Sequence, residues 1–125
     1  MKTIQTQNAP KAVGPYSQGV FVKDTLYVSG QIPFDPKTNA LISNDIKDQT
    51  RQSLENVLAI VEAAGLIKEN IVRCTVFMTN LSDFPLMNEV YSQFFGEHKP
   101  ARAAVEVRRL PKDVMVEIDA IAVKP

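Results

Sequence analysis

The sequence predicts an α+β fold: a single mixed β-sheet with two helices packed on one face, in the order β-β-α-β-α-β-β. Three observations predict it. Runs rich in β-branched and aromatic residues alternate at period two near 20–29, 71–79 and 101–123. Two longer stretches, 43–64 and 82–95, repeat their apolar residues at a period of about 3.6. Gly and Pro breakers separate these runs, and no internal repeat or linker divides the chain, so residues 1–125 read as one domain.

Taken in order, Thr3 to Thr6 reads as a short edge strand. Asn8-Ala9-Pro10 and Gly14-Pro15 break regular structure and leave Tyr16-Ser17-Gln18 in a turn or loop. Val20-Phe21-Val22 and Thr25-Leu26-Tyr27-Val28-Ser29 are strands, and Lys23-Asp24 between them suits a tight hairpin. The second strand ends at Gly30; Ile32-Pro33-Phe34-Asp35-Pro36 is then a stiff connection leading to a turn at Asn39. Ile46, Thr50, Leu54, Val57, Val61 and Ala64 trace one face of the first helix. Ser43 or Asn44 is placed to cap its start, and Gly65 suits the left-handed position beyond its end.

Strand Ile71–Thr79 follows, then a helix from about Ser82 or Asp83 to Phe95 that turns Phe84, Met87, Tyr91 and Phe94 or Phe95 to the core. Gly96 stops it. Pro100 introduces a strand from Ala101 to Arg109, and Leu110-Pro111-Lys112-Asp113 turns into Val114–Val123. Helices on one face leave the other face of the sheet open. Alternation places Arg102, Ala104 and Glu106 there, with Glu117, Asp119 and Ile121 from the last strand. Small apolar residues mixed with charges on that face point to an oligomer whose interfaces hold polar pockets.

Composition narrows the function. Fourteen basic residues balance 14 acidic ones, which argues against a large electropositive footprint for nucleic acid. Cys74 is the only cysteine, so no intrachain disulfide forms; it reads as a buried structural thiol rather than a reactive one. Met1–Asn8 has no apolar stretch of signal-peptide length, and no apolar run is long enough to span a bilayer. The expected setting is cytoplasmic, with no membrane partner.

The strongest chemical signal lies at Lys99-Pro100-Ala101-Arg102-Ala103-Ala104-Val105-Glu106-Val107 and at Glu117 on the next strand. A guanidinium presents its donors in a rigid fork that fits a carboxylate, and a Glu can move a proton. The pair points to chemistry on a small carboxylic acid. Each residue also has a plain reading: Arg102 as a surface cation, Glu117 as a solubilising carboxylate or a partner for Arg102. Tyr16 is a ring packed on the sheet or a substrate-side aromatic. Ser29-Gly30 ends a strand; Gly30 relieves a tight turn or lets an exposed backbone N–H approach a ligand. Asn88 flanks the apolar face of its helix and either braces a loop or bonds a ligand. His98, the only histidine, reads as a loop or surface residue.

One His and one Cys do not make a common zinc shell, and no HExxH, P-loop or dinucleotide glycine pattern occurs. Ser29 has no evident His partner apart from the distant His98, which disfavours a hydrolase triad. A cofactor-free, metal-free reaction on an already reactive substrate fits best.

Six segments in this order, Gly14-Pro15-Tyr16-Ser17-Gln18, Val28-Ser29-Gly30-Gln31-Ile32-Pro33, Gln52-Ser53-Leu54-Glu55-Asn56-Val57, Met87-Asn88-Glu89-Val90-Tyr91, Pro100-Ala101-Arg102 and Val114–Ala122, resemble the RidA (YjgF) family over nearly the full length. The resemblance implies hydrolysis of 2-imino acids, including 2-iminobutanoate and 2-iminopropanoate, to 2-oxo acids and ammonia. It implies a chorismate mutase-like fold and a homotrimer with three pockets between subunits. Arg102 would bind the substrate carboxylate and Glu117 would position or deprotonate the attacking water. Tyr16, Ser29, Gly30 and Asn88 would line or brace the pocket. Members without the arginine are not expected to be imine deaminases, so this chain looks like an enzymatic one.

Two departures from the family pattern stand out. Ala104 occupies a place where many relatives have Cys, so thiol adducts or redox control there are not expected. Asn39 stands where Gly is usual, and Asn tolerates the left-handed conformation. Two other classes of function remain beside the deaminase: a ribonuclease or translation inhibitor, and a non-catalytic trimeric metabolite-binding or chaperone-like protein. The lone His98 and the absence of a basic-aromatic stripe weigh against the first.

Overall fold

The computed structural model describes residues 1–125. Its strands are β1 (Lys2–Ile4), β2 (Gly19–Val22), β3 (Thr25–Gln31), β4 (Phe34–Asp35), β5 (Ala40–Leu41), β6 (Ile71–Met78), β7 (Ala101–Glu106) and β8 (Val116–Val123). The helices are α1 (Ile46–Ala63) and α2 (Phe84–Phe95). Six strands form one mixed sheet in the order β1-β2-β3-β8-β6-β7, in which only β6 and β7 run parallel. Both helices cover one face, as the alternation of strand and helix periods predicts. No helix is long and apolar enough to cross a membrane.

Local chemistry explains where α1 begins and ends. The N-cap is Asp45, not Ser43 or Asn44: its carboxylate accepts the Asp48 N–H at 3.0 Å. Ser43 instead braces the cap, accepting from the Asp45 N–H and donating to Asp48 Oδ2, each at 3.0 Å. At the other end Gly65, at φ 82°, takes the left-handed position. The Leu66 N–H reaches Val61 O and the Gly65 N–H reaches Glu62 O, the paired bonds of a Schellman motif.

The expected face of α1 is buried through Ile46, Thr50, Leu54, Val57 and Val61, with Ile60 beside them. It packs on Leu26, Val28, Val76, Ile118 and Ala120 of the sheet in one apolar cluster. Two buried amides on this helix hold loops rather than core. Gln49 accepts the Met115 N–H at 2.8 Å and donates to Ser43 O at 2.9 Å. Asn56 donates to Ile32 O and Phe34 O, at 3.2 and 2.9 Å.

The connection after β3 is less plain than expected. Phe34–Asp35 pairs with Ala40–Leu41 as a two-residue ribbon, closed by Asn39 at φ 56°. The Lys23-Asp24 hairpin forms as expected, with Lys23 at φ 53°. The last strands are shorter than read: β7 ends at Glu106 and β8 begins at Val116. The N-terminal strand is Lys2–Ile4 rather than Thr3–Thr6.

Candidate active site

Register and pleat put the two charged candidates on opposite faces of the sheet. Cys74, Val76 and Met78 of β6 are buried beneath the helices, while Thr75 and Phe77 turn to the open side. Arg102 is in register with Cys74, Ala104 with Val76 and Glu106 with Met78, so these three share the helix side. Glu117 lies opposite Phe77, and Asp119 opposite Thr75, on the open side. The expectation that Arg102, Ala104 and Glu106 accompany Glu117, Asp119 and Ile121 on the open face is therefore corrected. Ala101, Ala103 and Val105 take that place. The physical reason is that β7 is an edge strand of mixed character, so its facing is set by parallel pairing with β6 and not by its own alternation.

On the helix side, Arg102 reaches α2. Its Nη1 donates to Asn88 Oδ1 at 2.7 Å. Its guanidinium carbon lies 4.7 Å from the centre of the Tyr91 ring and 5.3 Å from that of Phe84. The side chain is exposed, and the rest of its five N–H donors have no partner in the chain. Asn88 thus braces a side chain of strand β7 rather than a loop.

On the open side, β3 carries a bulge. Val28 pairs with Ala120 and Gln31 with Ile118, so Ser29 and Gly30 together face Asp119 alone. Gly30 is required here for a contact, not for an unusual φ. A Cβ would overlap the Glu117 carboxylate and stand 2.9 Å from its carboxyl carbon. Glu117 is half-buried, and its pKa is raised, first by loss of solvent and then by the nearby Asp119 charge.

The Ser29 hydroxyl donates to Ser17 O at 2.6 Å, tying the bulge to the loop that carries Tyr16. Tyr16 is 53% exposed; it projects from that loop rather than packing on the sheet. A cleft of about 330 Å³ between loop and bulge is lined by Tyr16, Gly30, Gln31 and Lys112. Gln18, 3% exposed, clamps the same loop through Thr6, Ala9 and Pro10.

The structure thus gathers Tyr16, Ser29, Gly30 and Glu117 around the β3 bulge, and sets Arg102 with Asn88 on the helix side of the sheet. Phe84 and Tyr91, expected only in the core, also place their rings against the Arg102 guanidinium. Their signal was the spacing Phe84, Asn88, Tyr91, which places an amide between two rings on one helical face. Cys74 is buried with its thiol pushed up to about 11, chiefly by desolvation, as suits a structural thiol. The His98 Nε2 lies 2.6 Å from Ile71 O, holding the end of α2 to the start of β6. No group of three His, Cys, Asp or Glu side chains is placed to hold a metal ion.

A mixed six-stranded sheet with two helices on one face, holding an exposed arginine on one side and a half-buried carboxyl on the other, defines an α+β protein. A family model described as Endoribonuclease L-PSP matches residues 6–124. The chain is 58% identical over 126 residues to a protein of Salmonella typhimurium described as 2-iminobutanoate/2-iminopropanoate deaminase, covering 98% of each. It is 56% identical over 123 residues to a RutC family protein of Pyrococcus horikoshii, again covering 98% of each. The crystal structure of Escherichia coli TdcF with bound serine superimposes with a TM-score of 0.96 at 54% identity, covering all of both chains. The chain belongs to the RidA (YjgF) family, and its chorismate mutase-like sheet is the fold of that family.

Proposed function

We propose that this protein is a hydrolytic deaminase that converts reactive 2-imino acids, 2-iminobutanoate and 2-iminopropanoate with their enamine tautomers, to 2-oxo acids and ammonia. The observation that carries this reading is the 58% identity, across 98% of both chains, with the Salmonella deaminase. The reaction is independent of a cofactor, because the protonated imine is already electrophilic and needs only an oriented water and a proton carrier.

The roles follow from these two groups of residues. Arg102 pairs with the substrate carboxylate and fixes the imine carbon relative to the water. Glu117 takes a proton from the water as its oxygen bonds to that carbon. Glu117 then passes that proton to nitrogen; as the carbon–nitrogen bond breaks and ammonia leaves, the hydroxyl proton returns to Glu117 and the 2-oxo acid remains. A carboxyl whose proton affinity is raised suits both steps: it accepts more readily as a base and holds the proton until nitrogen takes it. Gly30 leaves Glu117 room, and Tyr16 with Ser29 shapes the wall around it.

The working unit of this proposal is a homotrimer of one-domain chains with sites between subunits. Within one chain Arg102 and Glu117 are two strands apart, about 10 Å across the sheet and about 10 Å along it, and they point to opposite faces. A second copy that seats its open face near Arg102 supplies the missing carboxylate. The open face, with Tyr27, Val105 and Ile121 among its charges, suits such burial. A lone buried thiol fits a reducing, cytoplasmic setting.

The test follows decay of both imines, made in situ by a serine/threonine dehydratase, with semicarbazide as competing trap. Accelerated decay by wild type, lost in folded Arg102→Ala, is the expected result. No acceleration by folded wild type contradicts the deaminase and brings metabolite binding forward.

A second reading, an endoribonuclease, is favoured by the description of the matched family model. It requires RNA cleavage that persists through stringent purification. The only imidazole is engaged with Ile71 O, and basic and acidic residues balance at 14 each, so neither a free general base of that type nor a cationic track supports it.

A further inference from the structure

We infer that Phe84 and Tyr91, with Asn88 between them, are positioning residues for Arg102 that hold its guanidinium edge ready for the incoming carboxylate. The inference rests on the deaminase reading and deepens it: affinity for the acid end of the substrate is set on α2 as well as at the arginine.

An exposed arginine on an edge strand samples many rotamers, and freezing them on each binding event weakens the site. Here three contacts from one helix restrict it. The guanidinium carbon lies within cation–π range of both rings, 4.7 Å from Tyr91 and 5.3 Å from Phe84. The Asn88 Oδ1 bond at 2.7 Å then sets the rotation of the planar group by taking one Nη1 hydrogen. The Nε–Nη2 edge stays whole, and that edge is a fork that matches a carboxylate.

The seat is itself rigid. Tyr91 is 7% exposed and packs against Phe95 with ring centres 4.8 Å apart. Its hydroxyl is buried beside the Cys74 thiol. It is the ring face of Tyr91, not its oxygen, that meets the Arg102 guanidinium. The substrate carboxylate keeps its charge throughout the reaction. A seat that acts on it therefore binds ground state and transition state alike, and its loss falls on KM.

The experiment compares wild type, Phe84→Leu, Tyr91→Leu and Tyr91→Phe in steady-state turnover of 2-iminobutanoate, with calorimetric binding of 2-oxobutanoate as a second readout. Each variant is first checked by thermal melting. The two leucine variants should raise KM by about five- to tenfold with kcat within about twofold, and weaken 2-oxobutanoate to match. Tyr91→Phe, which restores the ring face, should recover the wild-type KM. Phe84 is only half-buried, so Phe84→Leu decides the matter if Tyr91→Leu fails to fold.

Folded leucine variants with wild-type KM and binding overturn the inference. So does a fall in kcat with KM and 2-oxobutanoate binding unchanged, because the seat acts on binding of the acid end. Wild type that binds 2-oxobutanoate without turning over the imine defeats the deaminase reading, and binding by the variants then judges the seat. Absence of both turnover and binding overturns both.

Discussion

Arg102 and Glu117 occupy opposite faces of the same sheet, Arg102 in register with the buried Cys74 and Glu117 opposite the outward Phe77. That relationship organises the rest of the molecule. The helix side supplies an arginine with most of its donors uncommitted, and the open side supplies a carboxyl of raised proton affinity. The proposed reaction uses both, and within one chain they lie on opposite faces. The proposed site therefore needs two copies to meet.

Gly30→Ala tests the open half. The added methyl overlaps the Glu117 carboxylate, which must turn away from the bulge. The backbone there has no positive φ, so the fold should persist. The expected outcome is a fall in kcat of about tenfold or more with little change in KM, since about 1.4 kcal/mol of lost transition-state stabilisation is tenfold in rate. Steady-state kinetics on the folded variant checks it, and an unchanged kcat removes Glu117 from the reaction.

Asp119→Asn tests the cause of Glu117's raised pKa. Desolvation is the larger cause and remains, while the repulsion from Asp119 is removed. The acid limb of the kcat profile should move to lower pH. Asn keeps an oxygen for the Thr75 N–H that Asp119 now accepts at 3.1 Å.

Stability carries the same sign. A carboxyl with a raised folded pKa binds more protons folded than unfolded between its ordinary value and the raised one. Stability therefore falls as pH rises through that window. Glu117→Gln should flatten this fall, and urea melts at several pH values would read it. A slope that Glu117→Gln leaves unaltered contradicts the assignment.

Gln18→Ala tests how the Tyr16 loop is held. The Gln18 amide accepts the Thr6 N–H at 2.7 Å and donates to Thr6 O, Ala9 O and Pro10 O at 3.1, 3.3 and 2.8 Å. Its loss should cost about 1–3 kcal/mol and speed hydrogen exchange across the loop. Denaturant melts and amide exchange check this. Unchanged exchange at the loop amides would mean that the loop is held elsewhere.

The elements were legible where their signals are local. The α1 stripe Ile46, Thr50, Leu54, Val57 and Val61, the Lys23-Asp24 hairpin and the Gly65 and Gly96 stops all depend on near neighbours, and all are present. The N-cap was blurred because Ser43, Asn44 and Asp45 are consecutive capping residues, and only Asp45 sits at the helix boundary. The β4–β5 ribbon was missed because each strand has only two residues.

The facing of Arg102 was illegible for a different reason. It depends on which residue of β6, nearly thirty positions earlier, lies beside it. No periodicity within Ala101–Glu106 reports that choice. Each candidate residue can be named from the sequence alone; the face of the sheet that Arg102 and Glu117 each occupy cannot.

The central claim, that one subunit gives Arg102 and another gives Glu117, is tested most directly by mixing two inactive variants. Arg102→Ala and Glu117→Gln are expressed together, and the purified assemblies are assayed for 2-iminobutanoate hydrolysis. Random assembly restores the intact pair at one site in four, so the account predicts roughly a quarter of wild-type activity. Mixed assemblies that remain as inactive as either variant alone would show that both residues are needed in the same chain, and would contradict the shared site.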